Sequence, residues 1–172
     1  MQEPVKPHDA ASSRRHTVWE KLIVFLATGW GTGFFPKAPG TFASAAFFPV
    51  GYWFLHQIGW QIFLGLFTIP LIFMSAWLCE RAAEIFKNED PKEVVIDEWA
   101  GMSIVLLGAS TWFEGILAFV LFRIFDIAKP GPVGYFDRNW KSGWGVTMDD
   151  VIAGIMGLAL LLGGKWVYFN VL

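Results

Sequence analysis

Two long apolar runs restrict this chain more than anything else in it. Thr41–Ile58 carries no charged residue and only His56 as a group that titrates near neutrality, and Trp60–Cys79 carries no charge at all. Each run is roughly 18 to 20 residues, the length with which a helix crosses the hydrocarbon core of a bilayer. A third run, Val151–Gly164, continues past Lys165 into Trp166, Tyr168 and Phe169, rings that suit a membrane interface. Backbone in hydrocarbon must satisfy its own hydrogen bonds, so such runs fold as helices. The composition agrees, 55% hydrophobic against 16% charged. These features predict an all-α, polytopic membrane helical bundle, a single domain over 19–172 behind a polar tail over 1–18.

Turn-forming residues divide the chain. Gly29–Thr41 holds four glycines and two prolines, too many for a regular helix. Helices are expected over 41–58, 60–80, 98–111, 113–129 and 149–169. The third and fourth, at about 13 to 17 residues, are short for spanning. The count of membrane segments is therefore about four to five, two of them short. In the tail, SSRR resembles the start of a twin-arginine signal. His-Thr-Val follows in place of an apolar pair and no small-residue cleavage site comes after, so the reading is a basic cytoplasmic tail.

Basic residues orient the bundle. With the tail inside and five crossings, Lys6, Arg14, Arg15, Lys21, Lys37, Arg81, Lys87, Lys92, Arg123, Lys129, Arg138 and Lys141 all fall on the cytoplasmic side. Of the thirteen basic residues only Lys165 falls outside, the asymmetry that the positive-inside rule describes. The same orientation brings Asp97, Glu98, Asp126, Asp149 and Asp150 to cytoplasmic helix ends.

Those carboxylates are the candidates for chemistry, because charge beside hydrocarbon is costly and defaults to a functional role. Helix-start capping is the plainer account of Asp97-Glu98 and of Asp149-Asp150. It explains one member of each pair better than two. Arg123 and Asp126, three apart on one helix face, could simply neutralise each other. Alternatively Asp126 joins a metal site, while Arg123 and Lys129 hold phosphate oxygens. Five carboxylates and no nearby histidine favour a hard cation, Mg²⁺ first, over zinc; the three histidines are His8, His16 and His56. Metal with Arg and Lys suits phosphoryl chemistry. Lys37, Thr32, Thr41 and Ser44, in the Gly-rich segment Gly31–Ser44, are further candidates for binding phosphate, with Thr41 expected to cap a helix.

Several classes are excluded. Cys79 is the single cysteine, and Ile85 stands where a cysteine-dependent phosphatase needs its Arg. No D-x-D is present for an aspartyl phosphate. No basic stripe with interleaved aromatics suggests a nucleic-acid partner. A small ion transporter using the acidic cluster remains an alternative, although transporters place ionisable groups near the bilayer midplane and here the run centres are uncharged.

PKAPGTFAS, VVIDEWAGM, FRIFDIAKPGPVGYFDRN and GWGVTMDDVIAGI, in that order between apolar segments, resemble the phosphatidylglycerophosphatase A family from about Trp19 onward. The resemblance implies a Mg²⁺-dependent enzyme that removes the terminal phosphate of phosphatidylglycerophosphate. It also implies a multi-pass protein of a bacterial inner membrane, with catalytic loops facing the cytoplasm. The expected site is then Asp97, Glu98, Asp126, Asp149 and Asp150 for metal and catalysis, with Arg123 and Lys129 on the phosphate. Another lipid or soluble phosphomonoester stays open as substrate. The family pattern has Gly-Ser where Ala43-Ser44 stands here.

Overall fold

The structure is a computed structural model, describing residues 17–140 and 142–171; the tail to residue 16 and Lys141 lie outside the described residues. Helix α1 (Val18–Ala27) begins with a capping box, Thr17 Oγ1 accepting from Glu20 N while Glu20 Oε2 accepts from Thr17 N at 2.7 Å. Three successive residues with positive φ, Gly29, Trp30 and Gly31, then turn the chain into a 3-10 turn over Thr32–Phe34. Helix α2 (Pro39–Ile58) opens with Pro39 at its first turn, where the missing N–H costs nothing. α3 (Trp60–Ile62), a π-helical stretch (Phe63–Thr68) and α4 (Ile69–Phe86) form one rod of 27 residues. Pro70 lacks the N–H its turn needs, and the backbone before it widens into the π stretch.

Beyond a polar connection come α5 (Ile96–Leu106), α6 (Trp112–Ala128), the short α7 (Pro132–Asn139) and the long α8 (Gly143–Val171). No strand occurs among the described residues. α6 starts on its Thr111 cap and ends where Lys129 takes a left-handed conformation ahead of Pro130. α8 is the central post, packed against α4, α5, α6 and α7, while α2 covers α5 and α6.

α5 and α8 approach backbone to backbone. A Cβ on Gly101 would lie 2.5 Å from the Asp150 carbonyl oxygen, and one on Gly154 would lie 2.4 Å from the Gly101 carbonyl oxygen. Only hydrogen in place of a side chain lets the two backbones meet so closely, the small-residue packing typical of membrane helices. Phe122, Met102, Val105 and Leu106 fill the core around this contact with almost no exposure.

Two helices are long and apolar enough to cross a membrane, Trp60–Phe86 and Gly143–Asn170. α5, at about 16 Å for its 11 residues, reaches roughly half a bilayer core. Large apolar side chains stand exposed on the outside, among them Leu66 (76%), Phe73 (59%) and Phe113 (74%). Soluble monomers seldom leave so much contiguous apolar surface uncovered.

The structure departs from the sequence expectations at several boundaries. α1 and α7 were not anticipated. α8 begins at Gly143, six residues before the expected start, because Glu80 Oε2 accepts from Gly143 N at 2.5 Å and anchors the first turn from a distant helix. α2 begins at Pro39, so Thr41 lies inside the helix; the N-cap is Ala38, with φ of 50°. Ala43 is fully buried on that helix, where a methyl fits without demanding the freedom of glycine.

Candidate active site

Four segments converge at one end of the bundle: the start of α2, the connection before α5 with its first turn, the end of α6, and the second turn of α8. They enclose a cavity of about 290 Å³ lined by Asp97, Glu98, Arg123, Asp126, Lys129, Asp149 and Asp150, together with Asp90 and Lys92. The connection is held in place by a backbone bond from Val95 N to Ala27 O at 2.9 Å. Gly33 packs so tightly under it that a Cβ would meet the Glu93 carbonyl oxygen at 1.9 Å.

Within the cavity Glu98, Asp126 and Asp150 each offer an oxygen within 4.8 Å of the others. Arg123 Nη1 donates to Glu98 and forms an ion pair with Asp126, 2.7 Å from its Oδ2. Lys129 Nζ donates to Asp137 and to Asp149 Oδ2, the latter at 2.8 Å. Asp150 Oδ1 is buried without a hydrogen-bond partner, as is Arg123 Nε, among the described residues. Buried polar atoms are nearly always satisfied, so an orphaned carboxylate oxygen beside two other carboxylates suits a cation ligand. Residues of this kind suit a hard metal ion with oxygen ligands.

The electrostatics point the same way. Burial first, and then the Asp126 charge, push the Glu98 carboxyl up to about 7, with Arg123 and Ser44 pulling back. Burial, and after it the Glu98 and Asp149 charges, raise Asp97 well above the usual carboxylate range. Lys129 is raised despite the opposing effect of burial, because its bonds to Asp137 and Asp149 outweigh desolvation. Ser44 Oγ lies 2.7 Å from Glu98 Oε2 and 2.8 Å from Gly40 O.

Capping does not account for Asp149 and Asp150, since α8 has already run six residues before them. Asp97 and Glu98 do lie in the first turn of α5, yet the N-cap, Val95, makes no side-chain cap bond. Among the second-rank candidates only Ser44 reaches the acidic residues. Thr32 Oγ1 donates to Gly29 O at 2.8 Å and lines a separate apolar cavity. Lys37 is exposed, and neither it nor Thr41 lines the acidic cavity.

Residues that position this cavity escaped the sequence reading. A Cβ on Gly40 would lie 1.6 Å from Glu98 Oε1, so glycine there is what admits the carboxylate. Gly101 and Gly154 bring Asp150 to Glu98 in the same way. Lys92 lines the cavity and has no ion pair among the described residues. The only signal for the three glycines was position inside the quoted motifs, and Lys92 stands just ahead of one of them.

Carboxylates and cations gathered at one end of an all-helical, apolar bundle form a site suited to a divalent cation and a phosphate group. Residues 25–165 match the family described as Phosphatidylglycerophosphatase A. The chain is 36% identical over 146 residues to Phosphatidylglycerophosphatase A of Escherichia coli K12, covering 82% of this chain and 83% of that one. It is 37% identical over 141 residues to the Haemophilus influenzae protein of the same name, with coverage of 81% and 86%. A Bacteroides thetaiotaomicron protein provisionally named phosphatidylinositol-3-phosphatase is 37% identical over 153 residues, with coverage of 85% and 95%. No solved structure matches. The chain belongs to the phosphatidylglycerophosphatase A family and is a phosphatase, which sets aside the transporter alternative.

Proposed function

We propose that this protein is a Mg²⁺-dependent phosphatidylglycerophosphate phosphatase, multi-pass in a bacterial inner membrane, with its active site facing the cytoplasm. The observation that carries the reading is the convergence of Glu98, Asp126 and Asp150 with Arg123 in a cavity at one end of the bundle. Glu98, Asp126 and Asp150 would hold the metal, with Asp97 and Asp149 beside them. When bound, Mg²⁺ supplies charge neutralisation at the phosphoryl oxygens and activation of water. The metal is assigned as Mg²⁺ on the all-oxygen donor set.

The protein groups divide the remaining tasks. Arg123 offers a planar guanidinium suited to two phosphate oxygens, and Lys129 a point charge at the cavity mouth. Water attacks phosphorus while the bond from phosphorus to the glycerol oxygen breaks. A cavity carboxylate outside the metal trio, Asp97 or Asp149, takes the proton of the water, and the departing glycerol oxygen is protonated from solvent. Positioned charge, more than covalent chemistry, lowers the barrier for phosphoryl transfer.

The sidedness of the bundle supports membrane placement with the glycerophosphate entering from water. The polar cavity lies at one end of α8, and Lys165 lies fifteen residues further along, about 22 Å away. The basic residues predicted as cytoplasmic include Lys92, Arg123 and Lys129, all at the cavity end. Phosphate release from phosphatidylglycerophosphate by purified protein, with Mg²⁺ and with EDTA, tests the proposal. Turnover that persists after thorough chelation overturns the metal assignment. A higher kcat/KM on a phosphoinositide monophosphate, or on a soluble phosphomonoester, overturns the substrate assignment. The first of those competitors is prompted by the name of the Bacteroides relative.

A further inference from the structure

The acidic cavity is not the largest opening that α2 and α5 share. A second cavity, of about 420 Å³, is walled by Ala46, Phe47, Val50 and Phe54 of α2, by Phe67 of the π-helical stretch, and by Trp99 of α5. Its lining is apolar apart from Thr32 and the turn backbone at Gly29–Thr32, and its size lies in the range of small-ligand sites.

Its position relative to the acidic cavity is informative. Gly40 lines the acidic cavity and Ala46 to Phe54 line the apolar one, so along α2 the second begins about 9 Å beyond the first and extends about 12 Å further. On α5 the two are separated by a single residue step, Glu98 facing one and Trp99 the other. The Trp99 ring is fixed by Phe47, stacked at 5.2 Å, and by Trp30, edge-on at 5.2 Å. Trp99 is buried, and its Nε1–H has no acceptor among the described residues. A cavity that starts just past a phosphate-binding end and runs into the apolar layer has the shape of an amphiphile.

We propose that this cavity holds one acyl chain of the substrate lipid, against the ring of Trp99 and the apolar face of α2. The inference rests on the phosphatase reading above and deepens it. An ester-linked chain would fill the apolar walls and fix the glycerol end of the lipid beside Arg123 and the carboxylates. A soluble phosphomonoester would gain nothing from it. The cavity thereby makes the enzyme selective for lipid over free phosphates.

Ala46→Phe and Val50→Phe fill the space from the outer face of α2, where neither native side chain is in the buried core. The measurement is kcat/KM for diacyl phosphatidylglycerophosphate in mixed micelles, divided by kcat/KM for its water-soluble deacylated form. Each variant is expected to lower that ratio at least tenfold. A ratio equal to that of the unmodified protein overturns the acyl-chain site. Labelling reads the same site without catalysis, using diacyl phosphatidic acid with a diazirine at mid-chain. Adducts on the peptides that carry Ala46–Phe54 or Trp99, lost in Ala46→Phe, support the site. Adducts confined to other surfaces overturn it. Failure of the phosphatase reading shows differently, as absence of phosphate release from either substrate with the labelling intact.

Discussion

The two ends of α8 solve the problem of charge beside hydrocarbon in opposite ways. At the far end a single cation, Lys165, donates to Glu114 at 2.7 Å, to Ser110 Oγ at 3.0 Å and to Gly108 O at 3.1 Å. Glu114 also accepts from Ser110 N at 2.7 Å. Charge and hydrogen bonds balance there, and the cluster clasps the α5–α6 turn to α8. At the near end six carboxylates (Asp90, Asp97, Glu98, Asp126, Asp149 and Asp150) line a cavity with three cations, Lys92, Arg123 and Lys129. One oxygen and one guanidinium nitrogen there lack partners. A closed ion pair is what a fold needs for stability. An open surplus of one sign is held at a cost and makes sense only if something else binds.

Four experiments sharpen or break that contrast. The largest effect is expected from neutralising the surplus: Asp150→Asn or Asp126→Asn lowers phosphate release by about 10³-fold, the scale of losing a positioned electrostatic group. Because like charges repel in that cavity, the melting temperature measured in EDTA should not fall for Asp150→Asn. A drop of several degrees would mean that Asp150 is a structural group and would remove the contrast.

Next come the cations of the near end. Lys129→Ala is expected to cost about 10²-fold in kcat/KM. Arg123→Lys should recover little of the loss in Arg123→Ala, since a point charge does not replace a planar fork. Full recovery by lysine would show that Arg123 only neutralises Glu98 and Asp126.

At the far end, Lys165→Met is expected to leave kcat/KM within about threefold while lowering stability by about 1 kcal/mol, the scale of a partly exposed ion pair. Thermal unfolding and phosphate release on the same preparation check both parts. A loss of activity comparable with that of Lys129→Ala would end the division into a working end and a clasping end.

The smallest effect is expected at Ser44→Ala. It removes one hydrogen bond to Glu98, worth about 1 kcal/mol, and should lower kcat several-fold while leaving KM for lipid little changed. Steady-state kinetics over a Mg²⁺ titration is the measurement, with a raised Mg²⁺ requirement as the accompanying signature of a misplaced Glu98. An unchanged requirement would confine Ser44 to packing.

Legibility in the sequence followed the range of the interactions involved. Apolar runs and their interruptions report local preferences, so the helices from 41 to 58 and from 60 onward were visible with nearly correct starts. The α8 start was not, because Glu80, 63 residues away in sequence, supplies the anchor for Gly143. The acidic residues could be singled out as a set, since carboxylates at the edge of apolar runs are costly wherever they point. Their division into a close trio, Glu98, Asp126 and Asp150, with Asp97 and Asp149 beside it, depends on which face each helix turns inward. Thr32, Lys37 and Thr41 looked eligible from a Gly-rich segment, but that segment packs as a tight turn followed directly by a helix and does not present them to the carboxylates.

The sequence by itself determined the all-helical character, the charge asymmetry along the chain and the residue types available for chemistry. All three follow from local composition and from the cost of polar groups in an apolar setting. Only the tertiary structure decided that Gly101 and Gly154 bring α5 and α8 backbone to backbone, that Gly40 admits Glu98, and that Trp99 separates an acidic cavity from an apolar one. Those outcomes are contacts between segments far apart in the chain, and a glycine announces in its own sequence only that something could come close, not what.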